Sequence, residues 1–314
     1  MKEHQPITLR RRLRFKFEAL VFSLALKGIP ILPRGLILRL ANGAGILAWW
    51  LARRDRRIAV ANLDLAFGSS LSDKEKRAIV RNVFSTFVLT GLDYFWFSRD
   101  RKQRLEKWVA MDDSLRKWMR KGALVAVTAH FGNWEILGWL TVNHGSLIAS
   151  VAKPVKNPVI DSEINRLRQQ SGQFIIPREG AIRSLARVLK QEGTVALLLD
   201  QDTMPSEGGI FVPFFDVPVP IASAAAGLAL KLKAPVVVAF CTCDKKGVYH
   251  AYCPESFLPA DLEGMTPAQL TVRITGSLER EIRRNPGYWL WTYKRWKHRL
   301  PDFDASRYPF YADC

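Results

Sequence analysis

Gly122-Ala-Leu-Val-Ala-Val-Thr-Ala-His-Phe-Gly-Asn-Trp-Glu-Ile-Leu-Gly-Trp-Leu140 is the stretch whose reading decides the fold. Ala123 to Ala129 is a short continuous apolar run with β-branched residues, closed by Gly122 on one side and by Gly132 and Asn133 on the other. Such a run suits a strand covered on both faces, as in a parallel sheet. His130 then stands where that strand should end, the edge at which α/β folds gather their chemistry. Asn133 is placed to cap a helix with apolar positions Ile136, Leu137 and Leu140, which sets Glu135 in the first turn, where backbone N–H groups favour a carboxylate. His130 and Glu135 are therefore expected to meet across the turn, the imidazole as general base and the carboxylate fixing its tautomer. The same residues also read as a strand-end core histidine beside a solvated carboxylate. A zinc pair is disfavoured, because no cluster of further ligands accompanies the two.

Outward from this stretch, apolar runs alternate with amphipathic ones. Strands are expected at Ala123 to Ala129, Leu147 to Ala152, Phe174 to Ile176, Val195 to Leu199, Val236 to Thr242 and Val248 to Tyr252, with helices at Pro158 to Gln170, Ala181 to Gln191, Ile221 to Leu232 and Pro267 to Arg284. This alternation predicts an α/β fold with a mostly parallel sheet flanked by helices. Residues 58–121 read as helical, with Ser72 and Asp73 as caps and Ile79, Val83, Phe84, Phe87 and Val88 on one buried face. Together 58–121 and the α/β part, 122–314, form one expected catalytic domain.

Two more polar groups stand near strand or helix ends. In the helix after Asn157-Pro158, Arg168 flanks the apolar stripe of Ile160, Ile164 and Leu167, while Arg166 points further away. Either suits a substrate phosphate or an oxyanion, Arg168 by preference, and both also read as surface charges. The run Val195 to Leu199 ends in Asp200-Gln201-Asp202, so polar residues from two strand ends are free to converge on one crevice. Asp200 is a candidate to orient His130 or hold a hydroxyl, and Asp202 to hold the following loop. Phe211, Phe214 and Phe215, among prolines, read either as a rigid apolar wall of a pocket or as core.

His130-Phe131-Gly132-Asn133-Trp134-Glu135, a His-x4-acid motif after an apolar strand, resembles the signature of the lipid A biosynthesis acyltransferases, the late acyltransferases that acylate hydroxyls on the lipid A precursor. Asp200-Gln201-Asp202 with Ile210-Phe211-Val212-Pro213-Phe214-Phe215 is similar to the second block of that family. Tyr288-Trp289-Leu290-Trp291-Thr292-Tyr293-Lys294-Arg295-Trp296-Lys297 is similar to its C-terminal block. The resemblance covers the chain from about residue 30 to residue 301. It implies a glycerophosphate acyltransferase-like α/β sandwich that moves an acyl group from acyl carrier protein, or from acyl-CoA, to a hydroxyl of the lipid A precursor. His130 and Glu135 would be catalytic, and Arg166, Arg168, Asp200, Asp202 and Asn133 would bind substrate. Neither a metal nor a tightly held cofactor is implied. A related glycolipid, such as a phosphatidylinositol mannoside, is the alternative acceptor, since related acyltransferases share the His-x4-acid signature.

Composition fits this class. The chain has 314 residues and a formal net charge of +18, from 47 Lys and Arg against 29 Asp and Glu, so an anionic partner is expected. The 48% hydrophobic content and ten tryptophans tilt toward a membrane interface, and the resemblance implies that it is anionic inner-membrane lipid on the cytoplasmic face. Residues 1–57 alternate basic clusters with apolar runs: Arg10, Arg11, Arg12, Arg14 and Lys16, then Phe17 to Leu32, then Leu36 to Ala52, then Arg53, Arg54, Arg56 and Arg57. That pattern suits membrane-associated helices lying in the headgroup layer, with a single pass as the rival. No cleavable signal peptide is recognisable. Cys241, Cys243, Cys253 and Cys314 lack Cys-x-x-Cys spacing and read as reduced thiols. Trp289, Trp291, Tyr293 and Trp296 interleave with Lys294, Arg295, Lys297 and Arg299, which reads as an interfacial anchor beginning as a strand. Base stacking would look similar, but recognised nucleic-acid motifs are absent, so no nucleic acid is expected. A noncatalytic basic binding protein is the reading from another class.

Overall fold

The computed structural model describes residues 9–119, 122–152, 155–178 and 180–313. Helices open the chain: α1 (Leu9–Gly28), α2 (Arg34–Leu51), α3 (Arg53–Phe67) and α4 (Asp73–Trp96). Ser72 starts α4 with a capping box, its hydroxyl accepting from the Glu75 N–H while the Glu75 carboxylate takes the Ser72 N–H. Next come α5 (Arg101–Trp108), β1 (Val109–Met111), a short α6 (Asp113–Arg116) and β2 (Leu124–Thr128). The alternation continues through α7 (Trp134–Asn143), β3 (Ile148–Ala152), α8 (Pro158–Gln170), β4 (Gln173–Pro177), α9 (Ala181–Lys190) and β5 (Thr194–Leu198). A hairpin of β6 (Gly209–Phe214) and β7 (Val217–Ala222) leads to α10 (Ala224–Leu232), β8 (Val236–Cys243), β9 (Tyr249–Phe257) and α11 (Pro267–Arg284).

Seven strands form one sheet in the order β1-β9-β8-β2-β5-β3-β4. β9 runs antiparallel to β8, and the other ladders are parallel. The mostly parallel sheet expected from the alternation of elements is therefore present. β2 lies inside it between β8 and β5, which explains why its sequence is apolar without alternation: Val125 and Val127 are buried by layers on both faces.

Three local expectations change. Residues 58–121 are not wholly helical, because Val109–Met111 pairs with β9 as an edge strand. Ile221 belongs to β7, and the helix expected from it begins at Ala224. The C-terminal aromatic block is neither a strand nor a surface anchor: Trp289, Trp291 and Trp296 are fully buried. They pack with Phe214 and Phe215, and Trp289 meets Trp291 edge-on at 4.6 Å and Phe214 at 5.5 Å. Each such pair adds about 0.5–1.5 kcal/mol beyond its area burial, so aromatics spaced for an interface serve as core. The Phe214–Phe215 segment is accordingly core as well.

The N-terminal helices join the same body. α3 runs across the boundary expected between residues 57 and 58. Arg34, on α2, forms a buried ion pair with Asp93 of α4, donates to the Gly247 carbonyl, and stacks over Trp96 and Tyr249. Asp93 in turn accepts from the Tyr249 hydroxyl. No single described helix is long and apolar enough to cross a membrane, though α2 with the helical stretch after it passes jointly across a 91° bend. Residues 1–8 and Cys314 lie outside the described residues. Cys241, Cys243 and Cys253 are free thiols.

Candidate active site

The parallel ladder between β2 and β5 holds one register, Leu124 opposite Thr194 through Thr128 opposite Leu198. Carried two residues further, that register sets His130 level with Asp200. Neighbouring parallel strands lie about 4.8 Å apart, so two side chains leaving at one level meet. His130 Nδ1 is 2.9 Å from Asp200 Oδ1, and the His130 backbone N–H donates to Asp200 Oδ2 at 2.9 Å. The indole N–H of Trp289 donates to the same Oδ2 at 2.9 Å. A carboxylate with three donors converging on it is fixed in place.

The chain around the histidine is fixed as firmly. The His130 carbonyl accepts from Leu290 N–H at 3.1 Å, Gly132 N–H donates to the Tyr288 carbonyl at 2.9 Å, and Asn133 N–H donates to the Cys241 carbonyl at 2.9 Å. The Gly132 carbonyl accepts from the Thr90 hydroxyl at 2.9 Å. Gly132 has φ +55°, and a side chain there would run into the Cys241 carbonyl oxygen, so this close crossing requires glycine. The C-terminal stretch 288–291 thus lies along the turn that carries the imidazole.

The pairing differs from the expected one. Asp200, not Glu135, bonds the imidazole. Glu135, in the first turn of α7, instead reaches α8 and accepts from Arg168 Nη2 at 2.6 Å. A guanidinium offers the carboxylate a charged donor, which outcompetes the edge of a neutral ring. Glu135 acts on His130 through its charge rather than through a bond. Arg166 stays on the surface with Glu163 of its own helix, its Nε 2.8 Å away. Asn133 sits at the N-cap of α7 but caps nothing: it is buried and its amide donates to the Tyr249 hydroxyl at 3.2 Å. Asp202 is drawn into the C-terminal block, where it holds the buried Arg295 at 2.6 Å, Lys297 at 3.2 Å and the Tyr293 hydroxyl at 3.1 Å. Asn133, Arg166 and Asp202 are thus held by other partners, while His130, Asp200, Glu135 and Arg168 gather at the ends of β2, β5, α7 and α8.

Charge around the imidazole is decided by competition. Burial disfavours the imidazolium, but the Asp200 carboxylate, by charge and by hydrogen bond, and then Glu135 outweigh it, so the pKa of His130 lies above the ordinary value. For Asp200, burial pushes upward, and His130 and Trp289 outweigh it and hold the carboxyl below its usual range. Burial likewise opposes the charge of Arg168, and Glu135 restores it to a raised pKa. Because the Asp200 carboxylate only accepts, Nδ1 carries the proton and Nε2 of the neutral ring is left as the basic nitrogen.

Beside these groups, between α7 and the sheet face of β2, β3, β5 and β8, lies a mostly apolar cavity of about 110 Å³. Trp134, Glu135, Arg168 and Thr128 border it near the strand ends, and the Trp134 ring meets the imidazole edge-on at 4.9 Å. The Thr128 hydroxyl is buried and has no hydrogen-bond partner among the described residues. Trp289 and Thr128 were not singled out as site residues from sequence. Trp289 is spaced like an interfacial aromatic, and Thr128 is hidden inside an apolar run.

Comparison with known proteins agrees along nearly the whole chain. The model of the bacterial lipid A biosynthesis acyltransferase family matches residues 10–298. The lipid A biosynthesis palmitoleoyltransferase of Escherichia coli (strain K12) is 26% identical over 285 residues, covering 88% of this chain and 90% of that protein. A lipid A biosynthesis acyltransferase of Haemophilus influenzae is 25% identical over 291 residues, covering 90% and 91%.

Proposed function

From the premise that this chain belongs to the bacterial lipid A biosynthesis acyltransferase family and is an acyltransferase, we propose that it moves a fatty acyl group from the thioester of acyl carrier protein to a hydroxyl of the lipid A precursor. His130 is the general base. Nε2 takes the proton of the acceptor hydroxyl as its oxygen bonds to the thioester carbonyl carbon. The tetrahedral oxyanion collapses, the C–S bond breaks, and the leaving thiolate takes the proton back from the imidazolium. Asp200 orients the ring and stabilises its charged form. Glu135 adds negative charge near the imidazolium and holds Arg168, which borders the cavity and whose guanidinium suits either the oxyanion or a substrate phosphate. The reaction as drawn uses only these side chains, the donor and the acceptor.

The observation that carries this reading is the Asp200 contact at Nδ1, which leaves Nε2 as the basic nitrogen, with Trp134 standing between the imidazole and a mostly apolar cavity that we read as the acyl-chain site. We read the α/β body as glycerophosphate acyltransferase-like and the N-terminal helices as a seat on the cytoplasmic face of the inner membrane. Exposed Leu13, Phe17, Leu20 and Leu24 form one stripe of α1, and exposed Leu36, Leu40, Leu47 and Leu51 one stripe of α2, both near arginines.

His130→Ala removes the base, and general-base catalysis supplies about 10²–10⁴ in rate, so membranes carrying that variant transfer label from acyl carrier protein at background level. Wild-type transfer by that variant would overturn the mechanism. Mass spectrometry of lipid A from a strain lacking the gene tests the acceptor: one missing acyl chain supports it, and unchanged lipid A directs the same chemistry to another glycolipid.

A further inference from the structure

The cavity has two ends. Thr128 closes β2 at the carboxyl end of the sheet, near His130. At the amino end, Leu124 lies opposite Thr194, Thr194 opposite Ile148, and Ile148 opposite Gln173, a row running across four parallel strands. All four residues of that row border the cavity, and so does Trp118, which follows α6 at the same end. From Thr128 to Leu124 the lining follows about 13 Å of strand.

The far end is not purely apolar. Gln173 is 6% exposed, and its Nε2 has no hydrogen-bond partner among the described residues. The Trp118 indole N–H is buried and equally without a partner there. Gln173 lies against α7 at Gly138, where even a Cβ would stand 2.7 Å from the amide nitrogen, so the helix surface limits how far the amide can turn away. Buried donors that border a mostly apolar cavity with no partner among the described residues carry a standing desolvation cost, which a ligand bearing an acceptor at that depth removes. A pure hydrocarbon leaves it in place.

We propose that the end of this cavity bordered by Gln173 and Trp118 is a recognition site for an oxygen function on the distal part of the acyl chain, a hydroxyl or a ketone, which accepts hydrogen bonds from the Gln173 amide and the Trp118 indole. The inference rests on the acyl-transfer reading above and names the class of donor that suits it: an acyl chain oxygenated near its distal end. A site built around unpaired donors discriminates strongly against the analogue that lacks the acceptor. Gln173 and Trp118 are then specificity residues, distant from the reacting carbonyl.

Competition between two thioesters tests it. Full-length protein in mixed micelles with lipid A precursor receives equimolar acyl carrier protein thioesters of matched chain length, one plain and one hydroxylated on the penultimate carbon. The wild type is expected to favour the hydroxylated chain by about tenfold or more. Gln173→Leu and Trp118→Phe are each expected to bring the ratio toward one while still transferring the plain chain. Trp118→Phe keeps an aromatic ring at a half-buried position and decides the matter if Gln173→Leu does not fold. Equal use of both chains by the wild type, preference for the plain chain, or an unchanged ratio in the variants overturns the proposal. Wild-type protein that transfers neither chain overturns the acyl-transfer reading itself.

Discussion

At the residue scale, the site turns on which nitrogen of His130 holds its proton. Asp200→Asn keeps the shape but lets the amide donate toward Nδ1, favouring the wrong tautomer; the expected loss is about 10²–10⁴ in kcat, read in a single-turnover assay. The acid limb of the rate profile checks the electrostatics. Only the neutral imidazole can take a proton, and its pKa is raised in the folded protein, so activity rises with pH through a value above that of an ordinary histidine. In Asp200→Asn the largest raising influence is gone, and the limb moves to lower pH. A limb that stays put would separate Asp200 from the ionisation. His130, Glu135, Arg168 and Asp200 were all legible in the sequence as polar residues at strand or helix ends. Asp200 stood beside Glu135 as a candidate partner for His130, and the choice between them was not legible, because the order of strands in the sheet decides which ends are neighbours, and local sequence does not carry that order.

At the element scale, the short apolar runs of β2, β5 and β8, bounded by turn residues, and the amphipathic periodicity of the helices between them were legible in the sequence. The C-terminal block did not. Aromatics alternating with cations look the same whether they line a membrane or fill a core, and only the β6–β7 hairpin beneath Trp289 and Trp296 decides between these fates. Arg295 illustrates the difference: it is fully buried, paired with Asp202 and bonded to the Pro220 carbonyl at 3.0 Å. Removing one partner of a buried pair leaves an uncompensated charge, at a cost of about 3–5 kcal/mol. Asp202→Ala should therefore unfold at markedly lower denaturant while the surviving folded enzyme keeps a near-normal KM. A raised KM at unchanged stability would instead return Asp202 to the substrate site.

At the scale of the whole molecule, charge and exposed apolar stripes combine. With a net charge of +18, and with Phe17 and Leu20 both more than half exposed on α1, attachment to anionic vesicles should need both attractions. Phe17→Glu with Leu20→Glu is expected to lower the vesicle-bound fraction in flotation by about tenfold, and raising salt from about 0.1 M to about 1 M should weaken wild-type binding without abolishing it. Binding indifferent to both changes would detach α1 from the role. The order of synthesis adds one more consequence. Trp289 and Leu290, which fasten Asp200 and the His130 carbonyl, emerge from the ribosome long after the groups they fasten. A nascent chain that already contains every acid, base and cation of the centre still lacks its clasp, so competence arrives only once residues 288–291 have been made, and a premature stop before residue 288 yields a chain with all its chemistry and no way to aim it.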